Sequence, residues 1–324
     1  MRIVITGGGG FLGQRVAREL LARGGLASAP GERTALDELV LVDQAWPPDA
    51  VNESRVQRVT GNIGERALVQ RVFAPPTAAV FHLAAVVSAG AEADFDLGYR
   101  VNLDGARLIF EACREQPRAP RLVFTSSVAA FGGDMPETIT DATAATPQSS
   151  YGTQKVMGEL MVADYTRKGY VDGRAVRLPT IVVRPGKPNR AASGFMSNIL
   201  REPMNGEPAV CPVPPATQMW ILSPPRAVDA LIRAMELAPE DWGWNRVLNL
   251  PGITVSVTQA LAAMEKLAGK ECVARVRFER DAGIEKIVAG WPVRFDAARA
   301  ARLGFAADGG IEEVIRAHVQ TLKR

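Results

Sequence analysis

The sequence predicts an α/β fold: a doubly wound parallel sheet with a smaller, interleaved α/β lobe toward the C-terminus. Three observations predict it. The first half alternates short β-branched apolar runs with segments of helical period. A glycine-rich turn joins the first run to the first helix. Glycine, acidic and hydroxyl residues recur just after the apolar runs, at the carboxyl ends of strands, where such sheets hold ligands.

In order, residues 2–6 read as a strand. Residues 14–21 follow as a helix with Val16, Leu20 and Leu21 inward and Arg15, Arg18 and Glu19 outward. Residues 24–38 are Gly-, Ala- and Pro-rich with no apolar period, and read as a surface insertion. A second strand, 39–43, ends at Asp43. Then come a strand at 55–60, a helix at 65–73 and a strand at 78–83 that runs into Ala84 and Ala85. A long helix at 94–114 precedes a strand at 121–125, which leads into Ser126 and Ser127. Residues 150–168 form a helix and 174–183 another strand. These βαβ units make residues 1–183 the nucleotide-binding part, with a return to the main sheet near 224–250. Residues 184–324 mainly form the substrate lobe. There, helices are expected at 194–205, 224–237, 257–268, 296–303 and 311–322, and strands at 247–250 and 273–279. Prolines 208, 212, 214 and 215 mark an extended crossover.

Gly7, Gly10 and Gly13 stand in the spacing G-x-x-G-x-x-G, around Phe11 and Leu12. Glycine there permits a tight turn, lets a pyrophosphate approach the backbone and lets the helix pack close to the sheet. Asp43, at a strand tip, suits the two hydroxyls of an adenosine ribose and repels a 2′-phosphate. No Arg or Lys follows at once, since Gln44, Ala45 and Trp46 come next. NAD is therefore favoured over NADP. Asp43 lies thirty positions after Gly13, a longer gap than the usual fingerprint, which the 24–38 insertion accounts for.

Tyr151 and Lys155 share one helical face. An ammonium beside a phenol lowers its pKa and fits it to act as a base, and Ser127 offers a hydroxyl for the reacting oxygen. Tyr-x-x-x-Lys alone is a common pattern; the glycine turn upstream gives it weight.

Composition excludes several classes. With 38 Lys and Arg against 35 Asp and Glu, the net charge is +3 and mixed, with no basic run for nucleic acid. No apolar run reaches membrane-spanning length, and no signal peptide precedes the first strand. Three scattered cysteines suit a reducing cytoplasm and argue against a metal site. With only His82 and His318, a histidine-based triad is improbable.

The ordered motifs resemble the extended short-chain dehydrogenase/reductase family. They are residues 6–13, Asp43, His82-Leu83-Ala84-Ala85, Asn102-Leu103-Asp104-Gly105, Ser126 through Gly132, and Tyr151-Gly152-Thr153-Gln154-Lys155. The resemblance implies a Rossmann domain, Ser127 as the catalytic hydroxyl, Tyr151 as general base and Lys155 on the nicotinamide ribose. It adds Leu83, Ala84, Ala85, Ile63, Pro179 and Thr180 to the cofactor site. Asn62 stands where the family has Asp and can meet the adenine amine through its carbonyl, while Asn102 lies behind the site. Segments at 184–189, 192–203 and 220–224 are similar to a subgroup that oxidises a four-carbon sugar acid at C2. Such an anion needs a cationic clamp, for which Arg184, Lys187, Arg201 and Arg226 are candidates. Ser88 and Asn198 are placed to meet substrate hydroxyls, and Trp220 is either a pocket wall or a packed core residue. The family also implies a homodimer paired through the two long helices. Alternatives are a nucleotide-sugar epimerase and an NAD-sensing protein without turnover. A sugar-nucleotide dehydratase fits less well, because Val128 and Ala129 follow Ser127 where those enzymes carry Asp-Glu.

Overall fold

A computed structural model describes residues 1–29, 32–186 and 192–322. Its strands are β1 (Arg2–Thr6), β2 (Gly25–Ala29), β3 (Glu32–Ala35), β4 (Glu38–Asp43), β5 (Val56–Thr60), β6 (Ala79–His82), β7 (Arg121–Ser127), β8 (Asp172–Leu178), β9 (Thr180–Ile181), β10 (Ala209–Cys211), β11 (Gln218–Leu222), β12 (Val247–Asn249), β13 (Ile253–Ser256) and β14 (Val276–Phe278). The helices that matter to the site are α1 (Phe11–Arg23), α2 (Arg66–Phe73), α3 (Ser88–Ala93), α4 (Phe95–Gly98), α5 (Ala106–Arg114), α6 (Ser150–Arg167) and α7 (Gly194–Met204).

The central sheet has the order β12-β8-β7-β6-β1-β4-β5. Strand β1 pairs in parallel with both β4 and β6, β4 with β5, and β6 with β7. The chain builds outward from β1 to β4 and β5, then returns to the other side of β1. That reversal opens a crevice at the carboxyl end of β1, where the glycine turn lies. The inner strands bury both faces, which is why they read as nearly continuous apolar runs.

Four expectations change. The 24–38 insertion is ordered as an antiparallel hairpin of β2 and β3, with Leu26 buried. It shows no apolar period because β3 is exposed on both faces. The run 174–183 is not one strand: β8 ends at Leu178 in the central sheet, while β9 pairs in parallel with β11 in a second sheet, β13-β11-β9. Pro179 stands at the change, having no N–H to continue a ladder. The long helix is capped at Asp94, which accepts from the Leu97 N–H at 2.9 Å, and widens into a π turn at Tyr99–Gly105 before α5. The strand expected at 273–279 shortens to β14, because Lys270–Val273 closes as a helical turn.

The chain divides into two compact units, each made of three segments. One comprises Met1–Ala130, Ser149–Arg177 and Val228–Leu248; the other comprises Phe131–Gln148, Leu178–Ala227 and Asn249–Arg324. The first has a core of Val4, Val40, Val80, Phe110, Leu122 and Phe124 between its sheet and helices. The second packs Ile199, Leu200, Met219, Ile221, Met264 and Ile315.

Candidate active site

A cleft begins where β1 ends. Gly7 has φ 73°, and a Cβ there would lie 2.7 Å from the Ala84 nitrogen. At Gly13 a Cβ would meet the Gly7 oxygen at 2.1 Å, so α1 lies hard against the turn. Gly10 differs, for its nearest neighbour is the Gly7 oxygen at 3.2 Å. Packing demands glycine at 7 and 13, whereas at 10 the missing side chain leaves room at the mouth of a cleft of 190 Å³. Gly10 caps α1 without a side-chain bond, so the first turn at Phe11, Leu12 and Gly13 keeps backbone N–H groups for an anion. These features fit the pyrophosphate of a dinucleotide.

Gly7, Gly10, Asp43, Ile63, Leu83, Ala84 and Ala85 all line this cleft, as expected from sequence. Val42, Gln44, Gly61, Val86 and Val101 line it as well. Asp43 also has a structural part: its carboxylate accepts from the Gly9 N–H at 2.9 Å and from the Gln44 N–H at 2.7 Å. Each oxygen keeps a further lone pair for a ribose hydroxyl. The Asn62 carbonyl accepts from the Gly64 N–H at 2.9 Å, closing a local turn. Asn102 lies behind the cleft. It accepts from the Val86 N–H, and its amide donates to the Val86 carbonyl and the Gln154 side chain, fixing the 83–86 wall.

The same unit carries Ser127 at the tip of β7, and Tyr151 and Lys155 in the first two turns of α6. Ser149 starts that helix by accepting from the Gly152 N–H at 3.1 Å, and Glu92 accepts from the Ser150 N–H at 3.0 Å. Ser127 Oγ accepts from the Ala129 N–H at 3.1 Å, which leaves its proton to donate elsewhere. Lys155 is 2% exposed, with Nζ 4.9 Å from the Phe124 ring and 5.6 Å from the Tyr151 ring. Burial pulls its pKa down to about 7, opposed by the charge of Glu159. Ser88 opens α3 in the same unit.

Sequence reasoning passed over the groups beneath this pair. His82 is buried, its Nδ1 2.6 Å from Thr6 Oγ1; burial and then Lys155 press its pKa to about 3, so it stays neutral. Glu159 is buried too, and accepts from Ser126 and from both arms of the Arg177 guanidinium. A carboxylate on the inward stripe of α6, one turn past Lys155, was the available signal.

The second unit holds Pro179, Thr180, Arg184, Asn198 and Arg201. Three of the substrate candidates meet in one network there. Arg184 donates to Ser193 and to the Ile181 carbonyl, and its backbone N–H donates to Ser197. Arg201 is buried and directs its donors to the Arg184 carbonyl, Asn198 and Glu202. Arg226 pairs with Glu313 at 3.0 Å, and Lys187 lies outside the described residues. Trp220 stacks on Phe295, with ring centroids 5.2 Å apart, and Phe295 meets Phe131 edge-on. Among the described residues no cluster suits a metal, and no helix is long and apolar enough to cross a membrane.

Comparison with known proteins agrees with this geometry. Residues 3–219 match the NAD dependent epimerase/dehydratase family. The chain is 51% identical over 320 residues to the D-erythronate dehydrogenase of Cupriavidus necator, covering 99% of this chain and 98% of that protein. It is 45% identical to the enzyme of that name from Haemophilus influenzae, covering 99% of each. Among solved structures, a nucleoside-diphosphate-sugar epimerase from Agrobacterium tumefaciens superposes with a TM-score of 0.92 at 40% identity, covering 99% of this chain and 94% of that one. The glycine turn, the cleft and the Tyr–Lys helix thus sit in a chain that belongs to the NAD dependent epimerase/dehydratase family.

Proposed function

We propose that the protein is a D-erythronate dehydrogenase, oxidising the C2 hydroxyl of D-erythronate to the 2-oxo acid with NAD. The observation that carries this is identity of 51% and 45%, along nearly the whole chain, to two proteins of that name. Bound in the cleft, the nicotinamide would take up the hydride, and that chemistry is its own. This chain's residues do the rest. The glycine turn and the first turn of α1 hold the pyrophosphate, and Asp43 holds the adenosine ribose. Tyr151 removes the proton from the C2 hydroxyl. Ser127, whose Oγ already accepts from Ala129, donates its own proton to the reacting oxygen. The charge of Lys155 favours the phenolate form of Tyr151, and its ammonium meets the nicotinamide ribose.

The test is release of NADH, followed by absorbance, with four-carbon sugar acids set against UDP-sugars. Net NADH from D-erythronate alone supports the proposal. Epimerised sugar without free NADH would instead establish a nucleotide-sugar epimerase, the reading favoured by the Agrobacterium protein. Neither product would leave an NAD-sensing protein.

NAD is preferred in this reading because Asp43 repels a 2′-phosphate. Asp43→Ser with Gln44→Arg removes that repulsion and supplies a phosphate partner. The ratio of kcat/KM for NADP to that for NAD should rise; a wild type that already prefers NADP refutes the ribose role. We also infer a homodimer working in the cytoplasm. At helical spacing the two long helices carry Phe95, Tyr99, Asn102 and Ala106, and Val156, Leu160 and Ala163; of these, Asn102 and Ala106 are buried within the chain. Phe95 remains 57% exposed, its ring tilted against that of Tyr99 with centroids 4.5 Å apart, and Leu160 on α6 is 66% exposed. Apolar side chains this open suit a two-fold partner. Sedimentation at micromolar concentration should give the mass of two chains; the mass of one removes the dimer.

A further inference from the structure

Tyr151, Lys155 and Glu159 form one stripe along α6, each a turn beyond the last. Glu159 is 4% exposed, an unusual place for a carboxylate. Its Oε1 accepts from Ser126 Oγ at 2.5 Å and from Arg177 Nε at 2.7 Å, and its Oε2 accepts from the other guanidinium arm at 2.6 Å. Ser126 is the residue before Ser127 on β7, and Arg177 lies near the end of β8, the next strand in the sheet. One carboxylate therefore ties the helix bearing Tyr151 to the strand bearing Ser127 and to that strand's neighbour.

Tethering alone does not call for a charge. Apolar side chains of similar volume commonly hold such elements as well as a buried ion pair does, or better. What they do not supply is a negative charge one turn from Lys155. Around that ammonium lie the Phe124 ring from β7, the Tyr151 ring from its own helix, and neutral His82 from β6. Glu159 is the anion acting on Lys155.

We propose that Glu159 is a positioning residue of the reaction, fixing the Tyr151–Lys155 face of α6 against Ser127 and setting a carboxylate one helical turn beyond Lys155. This rests on the reading of Tyr151 as base and Lys155 as its partner. Removing the carboxylate leaves burial to dominate at Lys155, so the ammonium is lost at lower pH. A small displacement of Tyr151 also costs rate, since an error of about 1 Å at a reacting group is worth up to about 100-fold.

The experiment compares wild type, Glu159→Gln, Glu159→Asp and Tyr151→Phe, with kcat measured against pH at saturating NAD and sugar acid. Glu159→Gln should lower kcat by about 10- to 100-fold, with little change in KM for either substrate. Its alkaline limb should move down by about one pH unit. Glu159→Asp keeps the charge but shortens the reach, so it should lower kcat and leave the limb in place. A Gln variant whose limb stays put, or whose loss follows only its melting temperature, overturns the proposal. Should the Gln variant not fold, the Asp variant decides: wild-type kcat, or a limb that moves with the charge retained, rejects it. An active Tyr151→Phe variant refutes the base assignment itself, whereas an inactive one beside an unaltered Glu159→Gln refutes only the part given to Glu159.

Discussion

Tyr151→Phe is expected to lower kcat by at least ~100-fold, the low end of what a general base contributes. NAD affinity should stay near the wild-type value. Removing one hydroxyl leaves the ring over Lys155, the Ser149 cap and the whole cleft at the carboxyl end of β1 unaltered. Binding measured by titration separates the two effects. Turnover near wild type in this variant would show that another group takes the proton.

Lys155→Met should divide activity from stability. Turnover falls by about 100-fold or more, because the charge that stabilises the developing phenolate is gone. The free protein nevertheless melts higher. In the folded chain Lys155 titrates at about 7, against 10.5 for an ordinary lysine. Below pH 7 both folded and unfolded chains carry the proton, and the folded one bears the full cost of a buried charge. Between pH 7 and 10.5 the unfolded chain binds the extra proton, so wild-type stability rises with pH across that window. The advantage of Met is therefore largest below pH 7 and fades toward 10.5. Each kcal/mol recovered raises Tm by about 2–4 °C in a domain of this order of size. Glu159 keeps Arg177 and Ser126 in the variant, so no charge is stranded. A Met variant that melts lower at pH 6 contradicts the account.

What was legible in the sequence was local. Gly7, Gly10 and Gly13 act within one turn, and Tyr151 and Lys155 within one helical turn, so spacing alone displays them. Asp43 was legible because a strand tip is marked by the end of an apolar run. The rest depends on partners brought together by the sheet. Glu159 gains its meaning from Ser126 and Arg177, which come from two other strands. Arg201 reads as an available cation until Asn198, Glu202 and the Arg184 carbonyl are seen to occupy it. Pro179 could have warned that the 174–183 run breaks, yet its neighbours are apolar enough to read as one strand. The β2–β3 hairpin was hidden by its own exposure.

The interleaving of the two units constrains how this protein can be altered. Five passages between six segments mean that no single cut in the gene releases either unit as a continuous piece. Exchanging the second unit for a relative's would require five simultaneous junctions. Three of them fall inside strand β8, helix Pro224–Glu236 and strand β12, where splicing disturbs backbone pairing. New specificity is thus reached more readily by scattered point changes than by shuffling, and circularly permuted or split versions will have to open in loops that lie within one segment.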